Sequence, residues 1–97
     1  MEFKDDDRGF LEWKKAHVDG FVLNTTRTPR PDYLMLHRAT CPHLTRHDAE
    51  VHWTKNYIKI CSSQVDDLVR WVADRVSGRP QLTPCAACKP TARATPG

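Results

Sequence analysis

The sequence predicts an α+β domain: a small antiparallel sheet of about three strands, packed by one main helix and closed by a C-terminal zinc knuckle. Three observations carry that expectation. "SSQVDDLVRWVADRV" places Val65, Leu68, Val69, Val72 and Val76 at helical spacing. The runs "FVLN", "YLMLH" and "WTKNYIKI" are short, apolar or alternating, and bounded by turn-forming residues. Four cysteines, Cys41, Cys61, Cys85 and Cys88, fall at or beyond the ends of these elements, the last two as "CAAC" between prolines.

Taken in order, residues 1–9 read as an acidic flexible lead. "RGFLEWKKAH" predicts a short helix with Phe10, Trp13 and His17 spaced three and four apart. Asp19-Gly20 marks a turn, and "FVLN" a strand. "TTRTPRPD" is a loop, because its two prolines cannot join a ladder. "YLMLH" returns to pair with "FVLN". "RATCPHLTRHDAEVH" is polar and irregular. In "WTKNYIKI", alternation puts Ile58 and Ile60 on one face and Trp53, Lys55, Tyr57 and Lys59 on the other, with Cys61 continuing the second face. The helix follows: Ser62 or Ser63 can cap it, Asp66 and Asp67 suit its positive end, and Gly78 stops it. Residues 10–90 are thus expected as a single zinc-stabilised domain and 91–97 as a disordered tail.

The chain has 97 residues, 39% of them apolar and 28% charged, with a net charge of +3. That supports one core, and a lean one, of the kind that small domains reinforce with disulfides or a metal. No apolar run approaches the ~20 residues of a membrane span. "MEFKDDDRGF" has no apolar signal core, so a reducing cytoplasm is expected, where disulfides rarely persist.

Compartment decides how the cysteines are read. Two thiolates separated by two small residues can reach one tetrahedral zinc, and two further cysteines complete a set of four. Cys41, Cys61, Cys85 and Cys88 are therefore the expected ligands of a single structural Zn²⁺, with His37, four residues before Cys41, as the alternative fourth ligand and His43 also within reach. Two disulfides, a redox pair and unliganded thiols are the competing readings. The redox pair fits least, because "KPTARATPG" cannot form the helix that such a motif opens.

Trp53, Lys55, Tyr57 and Lys59 alternate aromatic and basic groups, a pattern that stacks bases and holds phosphates. With Arg27, Arg30, Arg38 and Arg46 nearby in sequence, this face predicts a nucleic-acid partner. A solvated outer face is the plain alternative, and a zinc-stabilised protein–protein adaptor the second functional one. A metal-dependent nuclease built on His37 and its neighbours is a third, but the histidines show no catalytic spacing.

"HVDGFVLN", "YLMLHRATC", "YIKICSS" and the terminal "CAAC" together resemble an uncharacterised group of small zinc-binding proteins of actinobacteria, their plasmids and phages. The resemblance spans residues 17–88 and rests on His17, Gly20, Phe21, Asn24, His37, Arg38, Cys41, Tyr57, Lys59, Cys61, Cys85 and Cys88. Val18 stands where that pattern has proline. The resemblance implies the zinc ligands and, through a setting beside defence genes, a tie to nucleic acid; it implies no catalytic activity.

Overall fold

A computed structural model describes residues 1–44, 53–78 and 80–88. Its elements are β1 (Glu2–Phe3), α1 (Asp7–Ala16), β2 (Phe21–Thr26), β3 (Leu34–Arg38), a 3₁₀ turn (Pro42–Leu44), β4 (Tyr57–Ser62), α2 (Val65–Arg75) and β5 (Thr83–Pro84). The sheet runs β1-β4-β2-β3-β5, antiparallel except for the β3–β5 pair. The α+β class holds, with five strands rather than three, and the two additional ones, β1 and β5, are the short edges.

The three expected strands form the centre. In register, Val22 lies between His37 and Cys61, and Leu23 between Leu36 and Ile60. Because side chains alternate along a strand, each such row belongs to one face. Leu23, Leu34, Leu36, Ile58 and Ile60 face α2, where Leu68, Val72 and Val76 close the first core. The expected α2 stripe is narrower than the sequence pattern: Val69 is 47% exposed. Gln64 takes the N-cap position without a side-chain bond, while Ser62 Oγ accepts from the Gln64 amide and donates to Asp67.

The opposite face is also covered. Phe3, Phe10 and Trp13 from β1 and α1 pack on Val22 and Cys61, with Ala39, Cys41, Leu44 and Cys85 in the same core. The acidic opening therefore does structural work instead of leading freely into solvent. Asp6 caps α1 through Gly9 N–H at 2.9 Å, and the Asp7 carboxylate accepts from the Thr54 amide at 2.8 Å and its hydroxyl at 2.6 Å. The Asp5 and Asp6 amides in turn donate to the Thr54 carbonyl and hydroxyl, both at 2.7 Å. Thr54 is wholly buried, so an amide, carbonyl or hydroxyl of that residue left unpaired would cost about 1–3 kcal/mol. Residues 91–97, expected as a disordered tail, lie outside the described residues.

Gly20 joins α1 to β2 at a close approach. A Cβ there would stand 2.7 Å from the far edge of the Trp13 indole and 3.1 Å from the His17 carbonyl oxygen. Trp13 has little room to yield, since it is 7% exposed and stacked on His17 at 4.6 Å. Gly20→Ala is expected to lower unfolding stability by about 1–3 kcal/mol through overpacking. Urea denaturation checks this, and a wild-type midpoint would contradict it.

Candidate metal centre

β3 and the turn after it deliver two of the site's side chains. His37 is the penultimate residue of β3 and only 5% exposed. The Cys41 amide bonds back to the Arg38 carbonyl, and the Leu44 amide to that of Cys41, so the chain curls over the strand end. The other two arrive with the C-terminal segment. β5 brings Thr83 and Pro84 alongside Met35 and Leu36, and the Cys85 amide donates to the Leu36 carbonyl at 2.8 Å. A tight turn through residues 86–88 then returns Cys88 to β3, where its sulfur accepts from the Arg38 amide at 3.2 Å. The Arg38 side chain grips the same residue, Nε donating to the Cys88 carbonyl at 3.0 Å.

The result is one group: the donor atoms of His37, Cys41, Cys85 and Cys88 all lie within 4.8 Å of one another. They can hold a metal ion. Cys41 Sγ and Cys85 Sγ are 3.8 Å apart. Two thiolates on a tetrahedral zinc, with Zn–S near 2.3 Å, stand about 3.8 Å apart, whereas a disulfide needs about 2.05 Å. The spacing fits ligands around an ion, as it does an S–H···S contact, and excludes a disulfide. Burial pushes the Cys85 thiol up, but the amides of Cys88 and Ala87 and the neighbouring thiols of Cys41 and Cys88 outweigh it and leave Cys85 below its ordinary value.

Cys61, expected as the fourth sulfur, lies outside this group, and His37 stands in its stead. The reason is lateral distance. Cys61 shares a row with His37, but Val22 of β2 lies between them, and two strand spacings put them about 9–10 Å apart. Burial raises the Cys61 thiol to about 12, so it stays protonated and packs as a small apolar group beside Phe3 and Phe10.

The expected basic and aromatic face is dispersed. Lys59 is 4% exposed, its ammonium donating to the Trp53 carbonyl and lying 5.9 Å over the Phe10 ring. The alternation holds within β4, from Tyr57 to Cys61, and does not extend to Trp53 and Lys55; α1 covers that side of the sheet. Trp53 precedes β4 and is half-buried, its ring 6.2 Å from that of Phe10. Arg27 forms a bidentate pair with Asp5 at 2.7 and 2.8 Å and also reaches the Lys55 carbonyl; Arg30 pairs with Asp32. Arg38 belongs to the metal centre. Tyr57 and Lys55 remain exposed, with Tyr33 against Tyr57 at 5.5 Å. Arg46, His47 and His52 lie outside the described residues. His17 is exposed and bonds its own helix end at the Trp13 carbonyl.

No family model, curated protein or solved structure matches the chain. Neither described helix is long and apolar enough to cross a membrane.

Burial holds the Lys59 amine down to about 8, with Cys61 and Asp7 opposing. Between pH 8 and its ordinary value of 10.5, the unfolded chain carries a proton there that the folded one lacks, so Lys59 makes stability rise with pH. Cys61 acts oppositely: between its ordinary 9.0 and about 12 the folded chain keeps a proton that the unfolded one has lost, so stability falls. Each slope is at most about 1.4 kcal/mol per pH unit. The stability difference between wild type and Lys59→Met should rise from pH 8 to 10, and that between wild type and Cys61→Ser should fall above pH 9. Denaturant titrations across this range check both signs; a flat difference for Lys59→Met would mean that its amine titrates as in water.

Proposed function

We propose that the chain is a small zinc-stabilised binding module, in which one Zn²⁺ held by His37, Cys41, Cys85 and Cys88 is structural. The carrying observation is the convergence of one imidazole and three sulfurs, three of the four residues buried, from segments 44 residues apart at Cys41 and Cys85. Three thiolates and an imidazole favour zinc over harder ions such as magnesium or calcium. Four protein donors fill a tetrahedron and leave no position for an activated water, which disfavours the nuclease reading. Arg38 supports the site from outside, since its amide and guanidinium both bind Cys88.

For the partner, single-stranded nucleic acid is the reading supported by the exposed Tyr57 and Lys55 beside Tyr33 at the sheet end opposite the metal centre. It rests on fewer residues than the sequence pattern suggests, because Lys59, Arg38 and Trp53 are engaged inside. The protein-adaptor reading is favoured by a different surface, the outward side of α2, where Val69 is exposed between Asp66 and Arg70.

Protein purified under reducing conditions should carry one zinc per chain by native mass spectrometry and metal analysis. Cys88→Ser and His37→Ala should lose the ion and much of the stability, since metal binding and folding are linked. Cys61→Ser should keep it. Zinc retained by Cys88→Ser but lost from Cys61→Ser would reverse the ligand assignment. Binding to fluorescent oligonucleotides should weaken with salt and fall in Tyr57→Ala. A folded Tyr57→Ala that binds like wild type would remove nucleic acid from that surface.

A further inference from the structure

We propose that Cys41 and Cys85 form a covalent, peroxide-driven cross-link that takes over from the metal as the tie between the C-terminal segment and β3. The inference rests on the metal-site reading for its starting state and adds a second chemical state of the same sulfurs.

The geometry separates the three sulfurs by role. Cys41 and Cys85 are 0% and 4% exposed and in sulfur–sulfur contact at 3.8 Å. Cys88 is the least buried of the three, so it is the residue a small oxidant in solvent meets first. The Arg38 amide donates to it at 3.2 Å and holds it at the end of β3. Cys61 is buried in the apolar core two strands from His37 and takes no part.

The steps balance with hydrogen peroxide as the oxidant. The Cys88 thiolate attacks one peroxide oxygen, the O–O bond breaks, and hydroxide leaves a sulfenic acid on Cys88. The Cys85 thiolate then attacks the Cys88 sulfur, forming an S–S bond and expelling a second hydroxide. Finally the Cys41 thiolate attacks Cys85, and the Cys88 thiolate departs. In sum, two thiols and one peroxide give one disulfide and two waters. Closing 3.8 Å to about 2.05 Å draws the two sulfurs out of ligand spacing, so the ion is released as the bond forms.

The consequence is specific to this pair. A Cys85–Cys88 bond would close within the turn and leave the segment with no sulfur tie to the residues after β3. A Cys41–Cys85 bond spans 44 residues and keeps the tail attached without metal. By chain entropy alone, a bridge of that span restricts the unfolded chain strongly.

The test treats metal-loaded wild-type protein with a graded excess of hydrogen peroxide. Zinc release is followed with a colorimetric indicator, thiols are then blocked, and disulfides are mapped by mass spectrometry of unreduced peptides. The expected end product is a peptide pair joined through Cys41 and Cys85, formed in step with release of one zinc per chain and reversed by dithiothreitol. Cys61→Ser should behave identically. Cys88→Ser, with or without bound metal, should lose the cross-link at peroxide doses that complete it in wild type. An end product joined through Cys85 and Cys88, sulfinic acid on Cys88 with no bridge, or unchanged thiols at doses that oxidise glutathione would overturn the proposal. Bridging at the wild-type rate in Cys88→Ser would overturn the relay through that residue. Protein that carries no zinc yet gives the Cys41–Cys85 bridge would remove the metal reading and with it the exchange of tie, leaving the cross-link itself as the only part that stands.

Discussion

The segment from Thr83 to Cys88 stays on β3 only if something beyond its own strand pairing holds it. β5 is two residues long and one of them is proline, so the parallel pair adds little by itself. What fixes it is the convergence of His37, Cys41, Cys85 and Cys88 at the end of β3, reinforced by both ends of Arg38 binding Cys88. Tying Cys41 to Cys85 across 44 residues removes much of the freedom of the unfolded chain, on the order of 4 kcal/mol for a covalent tie of that span. That is comparable with a large part of a small domain's whole stability. A metal held by the same four residues would act on the same entropy, with its ligand bonds adding enthalpy, so that folding and metal binding would be linked.

The second constraint is that a sheet buried on both faces must find two covers in fewer than a hundred residues. α2 supplies one with Leu68, Val72 and Val76. The other is assembled from Phe3, Phe10 and Trp13, and it encloses Lys59 as well as Cys61. A buried ammonium is an expensive way to fill a core, and this one is kept by two compensations: the Trp53 carbonyl and the face of Phe10. Lys59 thereby ties the segment before β4 to the helix that covers it. The same position that looked like a phosphate contact in the alternating pattern acts as an internal strut.

Much of this was legible in the sequence, and the failures have physical causes. The central strands and α2 follow from periodicity, because their residues meet the core locally. Cys41, Cys85 and Cys88 follow from thiolate chemistry. Choosing His37 over Cys61 needed strand order: chain distance places Cys61 at a strand end like Cys41, but β2 pairs between β3 and β4 and pushes Cys61 a full strand away. The one hint was that His37 and Cys41 are four residues apart, close enough for one turn to bring both to a shared ion. Lys59 was misread because nothing in "YIKIC" says which face a distant α1 will cover. β1 and β5 were invisible because two-residue strands have no periodicity.

Both edges of the sheet are guarded in the same way, and this links the acidic opening to the cysteine-bearing end. An exposed strand edge presents unpaired amides and carbonyls to any other strand, so short edge strands are a common defence. β1 and β5 are each too short to stay by pairing alone, and each has a side-chain device. At β1 the device is polar: the Asp5 and Asp6 amides and the Asp7 carboxylate fasten onto Thr54, and the Met1 backbone exchanges two 2.7 Å bonds with Cys61. At β5 it is the metal group. The two devices respond to different conditions. Losing carboxylate charge loosens the first, while chelation or oxidation acts on the second. Were the proposed ion removed with nothing in its place, the bond from the Cys85 amide to the Leu36 carbonyl would be the contact left to hold β5 on the outer edge of β3. On this argument Cys61 serves the core, while Cys41, Cys85 and Cys88 also keep the sheet's most vulnerable edge closed.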